Sequence, residues 1–362
     1  MGNDMLAAKL ADPGRDASPA ADVAAQDAAG QGRANNGPRG MKFRVEQELI
    51  VLALAVVLFL AFAVGLPGFL TAGNLTNLVR NVSVLGILGV GMTVVIIGRG
   101  IDLSMVSNMA ISIGWAAKVM AAGATTVVGL CYGLGFALAV GVVTGFLIAY
   151  IEVPALFATL AVGIFVYGFG HYVLIGSDLV NLPAEAFAIR ALGNDALLGI
   201  PLIVYGFVVV CIVGSLFLSR TKIGRFIYAI GDNYLAARIT GIPARPVIVL
   251  QYFVSALFAF IAGLVTIASV TSIDTRIATS NMIYDVILVA VLGGVGLSGG
   301  KGRIRNVVIG TLLVGTLFNG LTILNMPYTG QSIVKALILL AAIVIDAVVN
   351  PRDEQTAQQG DI

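Results

Sequence analysis

The chain has 362 residues, of which 58% are hydrophobic and 11% charged, with a mean hydropathy of +0.98. A soluble domain carries about 25% charged residues, so this composition excludes a soluble fold and points to an all-α, polytopic membrane protein. The net charge of +2 is too small to imply a nucleic-acid partner, and the apolar runs are continuous, which excludes a transmembrane barrel with its alternating segments of about ten residues.

Residues 1–44 are rich in Ala, Gly, Asp and Pro with no apolar period, and read as a disordered tail without the hydrophobic core of a signal peptide. The first apolar span runs from about Leu49 to Leu66 and ends at Pro67-Gly68. A polar, amphipathic stretch, FLTAGNLTNLVRN, leads to a second span from about Leu78 to Gly98. Residues Arg99 to Ser104 form a break before the third span, which ends near Met120; the break reads either as a loop or as an interrupted helix. The fourth span, about Thr125 to Tyr150, carries Gly129xxxGly133 and Gly141xxxGly145, small-residue faces that let helices approach closely.

Glu152 and Pro154 precede the fifth span, about Ala155 to Ile175, and residues Gly176 to Gly199 form a polar loop. The sixth span covers about Ile200 to Leu218. Residues 219–246 are the longest basic interruption, with Arg220, Lys222, Arg225, Arg238 and Arg245 against Asp232. The seventh span runs from about Val247 to Val270, and the polar stretch TSIDTRIATSN separates it from the eighth, about Met282 to Leu297. A glycine-rich basic turn, the ninth span (about Val307 to Leu324), a short MPYTGQ turn and the tenth span (about Ser332 to Val349) follow, and residues 351–362 form a charged tail.

Ten spans place both termini on one side. With that side cytoplasmic, the tails, the Arg99 break, the 219–246 segment and the 301–305 turn hold 16 of the 21 Lys and Arg residues, as the positive-inside rule requires. Arg80, Arg190 and Arg276 then lie outside. Lys118, Lys335 and Asp346 fall near span ends, where interfacial solvation accounts for them, and Asp285 is a further intramembrane charge. Asp102 sits at the glycine-flanked break, where pairing with Arg99 is a sufficient structural explanation. Cys131 and Cys211 read as small buried hydrophobes.

No catalytic constellation is present. Leu297-Ser-Gly-Gly-Lys301 is like the signature of nucleotide-hydrolysing cassettes, but no GxxxxGK[ST] phosphate loop accompanies it. Gly299, Gly300, Lys301, Gly302 and Arg303 read instead as a tight turn at the membrane face. Leu235, Ala236, Ala237, Arg238 and Gly241 outline a short helix and turn with a shallow surface that can lie in a groove of another protein. Asp102, Ser104, Asn108 and Asn319 are polar residues eligible to face a solute pathway.

Four stretches together resemble one family: residues 100–104, 224–233, 236–242 and 293–304. Their order and spacing are similar to the ribose/xylose/galactose-type branch of the branched-chain permease superfamily of ATP-binding-cassette importers. The resemblance covers residues 45–350 as a permease domain, with Leu235 where the family's docking loop usually carries Glu. It implies a cytoplasmic ATPase subunit bound at the 219–246 coupling loop and an extracytoplasmic solute-binding protein. It also implies a second permease copy or paralogue in the same membrane. It implies no cofactor in this chain, with ATP and Mg on the partner, and a bacterial inner-membrane location. The reading is an import subunit for a small polyhydroxylated solute, most simply a monosaccharide; the alternative is a stand-alone secondary transporter or facilitator.

Overall fold

A helix of about 20 apolar residues crosses the hydrocarbon core of a bilayer, and the chain is built mainly from such helices. The computed structural model describes residues 47–349, with side chains over residues 48–344. Both expected tails and the Asp346 side chain lie outside the described residues.

In chain order, helix α1 covers Gln47–Gly65, α2 Ala72–Ile97, α3 Met105–Ala121, α4 Thr126–Ala149 and α5 Ala155–Phe169, which a π-helical turn prolongs to Ile175. Strand β1 (Leu179–Asn181), helix α6 (Phe187–Asn194) and strands β2 (Ala196–Leu197) and β3 (Ile200–Pro201) follow. Helix α7 spans Leu202–Arg220, α8 Lys222–Asp232, α9 Tyr234–Ile239 and α10 Ala244–Val270. After β4 (Ser272–Asp274) and a 3-10 turn (Thr275–Thr279) come α11 (Met282–Gly293), α12 (Ile304–Ile323) and α13 (Tyr328–Val349). Every expected apolar span is a helix. Among the described residues, seven of these are at least 18 residues long and apolar enough to cross a membrane: α1, α2, α4, α5 with its π turn, α7, α10 and α12. Helix α11 is a shorter apolar helix, α13 is apolar over Tyr328–Val344, and α3 has 17 residues.

Several boundaries differ from expectation, three of them for reasons visible in the local backbone. Helix α2 starts at Ala72, so the polar FLTAGNLTNLVRN stretch largely belongs to its first turns. Helix α11 stops at Gly293 rather than Leu297, because Gly294 adopts φ 98° and its amide donates back to Val291 while Val295 donates to Ala290. Helix α10 begins at Ala244 and takes Pro246 into its first turn, where a missing N–H costs no helical bond.

Helices α2, α3 and α10 form the centre. Gly141 and Gly145 let α4 lie directly on α10: a Cβ on Gly141 would stand 2.7 Å from the Ala256 side chain, and one on Gly145 would stand 2.6 Å from Val249 Cα. Gly133 presses α4 on α3 in the same way, its Cβ position lying 2.8 Å from Ala116 Cβ. Met105, Met109, Ala259 and Ala262 are fully buried where these helices meet α2. Outward faces of α1, α4, α5, α7 and α13 expose Leu, Val, Ile and Phe, the surface that lipid solvates.

The helix ends gather at two faces. One holds α8, α9, the α2–α3 break and the glycine-rich turn after α11. The other holds small structures that the sequence reading took for loops: β1 pairs antiparallel with β4 through Leu179–Asp274, Val180–Ile273 and Asn181–Ser272, and α6 packs on the end of α10, with Gly193 against Ala268. Both cysteines are free, but they are less buried than expected: Cys131 is exposed, and Cys211 is half-buried against the edge of the core.

Candidate functional site: the α8–α9 face and the broken crossing

Helix α8 is amphipathic and starts on a cap in which Thr221 Oγ1 accepts from the Gly224 amide at 2.9 Å. Helix α9 begins one residue after α8 ends. Asn233 supplies its cap, its Oδ1 accepting from the Ala236 amide at 2.9 Å. The far end of α9 is closed by the Ile242 amide donating to Ala237 (3.0 Å) and the Gly241 amide to Arg238 (3.1 Å). That closure places Gly241 at φ 83° with nothing near its missing Cβ, so glycine is needed there for backbone freedom and not for space. Ala237 is buried, whereas Ile239 is 86% and Leu235 48% exposed. The Arg238 guanidinium lies over the Tyr234 ring at 5.7 Å. Leu235, Ala236, Ala237 and Arg238 thus lie in a short helix that Gly241 closes, with an apolar and cationic outer surface.

The second expected element, the turn 299–303, packs under α8. Gly299, Gly300 and Gly302 all have positive φ. The Gly300 amide donates to the Ile97 carbonyl at 2.8 Å, and the Tyr228 hydroxyl donates to the Gly302 carbonyl at 2.7 Å. Burial pushes the Tyr228 hydroxyl above its ordinary pKa, against an opposing pull from Arg303.

Between these elements lies Arg99, which the sequence reading treated as a partner for Asp102. The structure corrects that. Arg99 donates from Nε to the carbonyls of Gly231 (2.7 Å) and Ser298 (3.1 Å), and from Nη2 to that of Asp232 (2.8 Å). One side chain therefore joins the end of α2, the carbonyl end of α8 and the glycine-rich turn, and a cation suits the negative end of a helix. Its backbone holds φ 67°, the left-handed position that ends α2, where Gly100 donates to Val95 and Arg99 to Ile96. The pattern Gly-Arg-Gly was the available signal, since a flanked residue after a long apolar helix is where such an end occurs.

Asp102 turns inward instead. Its Oδ1 accepts from the Ser104 amide (3.0 Å) and hydroxyl (2.5 Å), and its Oδ2 from the Ser255 hydroxyl on α10 (2.6 Å). Asp102, Ser104 and Asn108 are each no more than 3% exposed. Asn108 Nδ2 reaches the Ala137 carbonyl at 3.2 Å, and its Oδ1 has no partner. Asn319 does not join them. It sits at the opposite face, in a reciprocal amide pair with Asn74 at 3.0 and 2.8 Å.

Gln251 and Tyr252, both 1% exposed, carry an amide nitrogen and a hydroxyl without partners. With Gly98, Glu152, Tyr234 and Arg238 they line a cavity of about 490 Å³ behind α9. Sequence reasoning did not single them out, although Gln251 and Ser255, one helical turn apart in an apolar span, mark a polar stripe toward the break. The charges near span ends also sort themselves: Lys118 is exposed at the end of α3, whereas Lys335 is half-buried and paired with Asp285 at 2.7 Å, contrary to the interfacial reading.

The comparisons with known proteins agree with this architecture. The chain is 34% identical over 305 residues to the ribose import permease protein of Escherichia coli K12, covering 83% of this chain and 94% of that protein. It is 33% identical over 280 residues to the ribose import permease protein of Bacillus subtilis, covering 77% and 86%. It is 33% identical over 305 residues to the L-arabinose transport system permease protein of Escherichia coli K12, covering 84% and 91%. No solved structure matches. A family model described as branched-chain amino acid transport system / permease component matches residues 74–343, and the chain belongs to that family.

Proposed function

We propose that the chain is the membrane subunit of an ATP-driven importer that carries a monosaccharide into the cell. The observation that carries this reading is the α8–α9 face: a capped helix with exposed Leu235 and Ile239, linked through Arg99 to the break in the central helices. Among relatives similar over most of the chain are permeases named for ribose and L-arabinose, which favours a pentose or related sugar over an amino acid.

In this reading the α8–α9 face and the termini are cytoplasmic, and the membrane is the bacterial inner one. An ATPase subunit seats α9 and the 299–303 turn, binds ATP and Mg, and moves them on hydrolysis. The Asp102–Ser104–Ser255 cluster braces the crossing between α2 and α3 that this motion must shift. Two permease subunits enclose the path, and a solute-binding protein delivers sugar to the opposite face. The chain has no catalytic role of its own.

The test is uptake of labelled monosaccharides into proteoliposomes holding the permease, its ATPase and binding protein. Uptake that requires all three and stops without ATP is expected. Uptake by the permease alone, driven by an ion or solute gradient, overturns the proposal in favour of a stand-alone transporter.

A further inference from the structure

Resting on that reading, we infer that a groove between α11 and α13 is a sugar-contacting part of the transport path, centred on the Asp285–Lys335 ion pair. Lys335 Nζ lies 2.7 Å from Asp285 Oδ2, with the two side chains 15% and 13% exposed. Asp285 Oδ1 is buried and has no partner. Lys335 Nζ also stands 4.1 Å from the Phe318 ring centre and 6.0 Å from that of Tyr328. The groove has a volume of about 590 Å³ and takes in Asn281, Tyr284, Asp285, Leu288, Ser332 and Lys335. This lies within the range of roughly 300–1,000 Å³ usual for small-molecule sites.

Both charges sit within apolar helices, where ionisable groups are costly and face a bundle interior or a hydrated path. Packing alone does not account for the pair, since an apolar couple of similar volume serves a buried contact as well or better. The chemistry matches a polyol. A carboxylate oxygen without a partner accepts from a hydroxyl, and an ammonium group donates to one. The Asn281 amide and the Ser332 hydroxyl add donors and acceptors, and the ring of Tyr284 offers a flat apolar face to sugar C–H groups. An acyl chain matches the apolar wall but leaves Asp285 Oδ1 unpaired. The polar residues of the groove lie in the first turns of α11 and α13, helix starts that share a face with the β1–β4 pair, the side on which sugar arrives in the proposed direction of transport.

The experiment uses the full transporter in proteoliposomes. Asp285→Leu/Lys335→Met removes the pair without stranding either charge, so a purely structural pair tolerates it. Asp285→Asn keeps shape and hydrogen bonding but not charge. A rise of tenfold or more in the KM for monosaccharide uptake is expected for the double variant, with a smaller rise for Asp285→Asn and ATPase assembly retained in both. A sugar lacking one hydroxyl should lose its disadvantage against the parent sugar in the double variant. Unchanged KM in both overturns the inference while the importer reading stands; a wild-type transporter that moves no monosaccharide overturns both.

A second measurement covers misfolding and other occupants. With Cys131 and Cys211 replaced by Ser, a Ser332→Cys variant should react with a water-soluble thiol reagent, and transported sugar should slow that reaction. Reaction only with a lipid-soluble reagent, or crosslinking to a second copy without protection by sugar, overturns the inference in favour of a lipid-facing or subunit-packing groove.

Discussion

Arg99 holds a left-handed backbone, which costs an L-residue about 1–2 kcal/mol, and it offsets that cost with three hydrogen bonds from a charged donor. The two contributions can be separated. Arg99→Ala keeps the unfavourable φ and loses the bonds, whereas Arg99→Gly loses the bonds but relieves the backbone. We expect both to uncouple transport, with Arg99→Gly more thermally stable than Arg99→Ala by about 1 kcal/mol. Equal stability in a detergent unfolding assay would show that the backbone at Arg99 is not strained. A second residue-scale effect lies in the exposed loop formed by the end of β4 and the 3-10 turn that follows it. Arg276 donates to Asp274 through its backbone amide (2.9 Å) and guanidinium (3.1 Å), and these bonds hold the Asp274 carboxyl below its usual range. A depressed carboxylate contributes stability that is complete above its unfolded pKa and disappears as pH falls through the folded one. Proteolysis of this loop should therefore accelerate below about pH 4, and Asp274→Asn should be cleaved at a rate independent of pH over that range.

At the scale of elements, glycine carries two different duties. Gly145 serves closeness: a Cβ there meets the Val249 backbone, which no rotamer change relieves. Gly145→Leu should destabilise the bundle by about 3 kcal/mol, while Gly135→Leu, on the same helix with nothing within 4 Å, should be near neutral; thermal unfolding of the two variants side by side checks this. Gly241 serves conformation. Gly241→Val has room but needs φ 83°, so it should cost about 1–2 kcal/mol at the end of α9 and abolish ATP-driven uptake with insertion intact. Retained uptake would remove α9 from the coupling role.

The GxxxG faces and the short helix and turn over residues 235–241 were legible because local spacing sets them. The end of α11 was less so, since Gly293 to Gly302 offers several places for a left-handed stop and tertiary contacts select Gly294. Strands β1 and β4 were illegible, because three-residue strands far apart in the chain have no period of their own. Arg99 and the Asp285–Lys335 pair depend on which distant segments meet, and Lys335 in particular looked like an ordinary residue near a helix end.

For the whole molecule, basic residues concentrate where α8, α9 and the glycine-rich turn lie, and Arg80, Arg190 and Arg276 lie toward the opposite face. Labelling of single cysteines from either side of sealed cells should find Ile239→Cys reactive from within and Asp274→Cys from without; the reverse pattern would invert the proposed direction of transport. The fastening of α2, α8 and the glycine-rich turn by the Arg99 guanidinium, the Gly300–Ile97 bond and the Tyr228–Gly302 bond also has a mechanical consequence. Three segments tied this closely have little slack among themselves, so in the proposed importer a push on α9 is not absorbed where it arrives. In the proposed importer the compliance would lie deeper, beside Gln251 and Tyr252, where a cavity of about 490 Å³ adjoins the broken crossing. The outer plate and the space behind it would then act as a lever about residue 99, with the length of stroke set by how far that space can close.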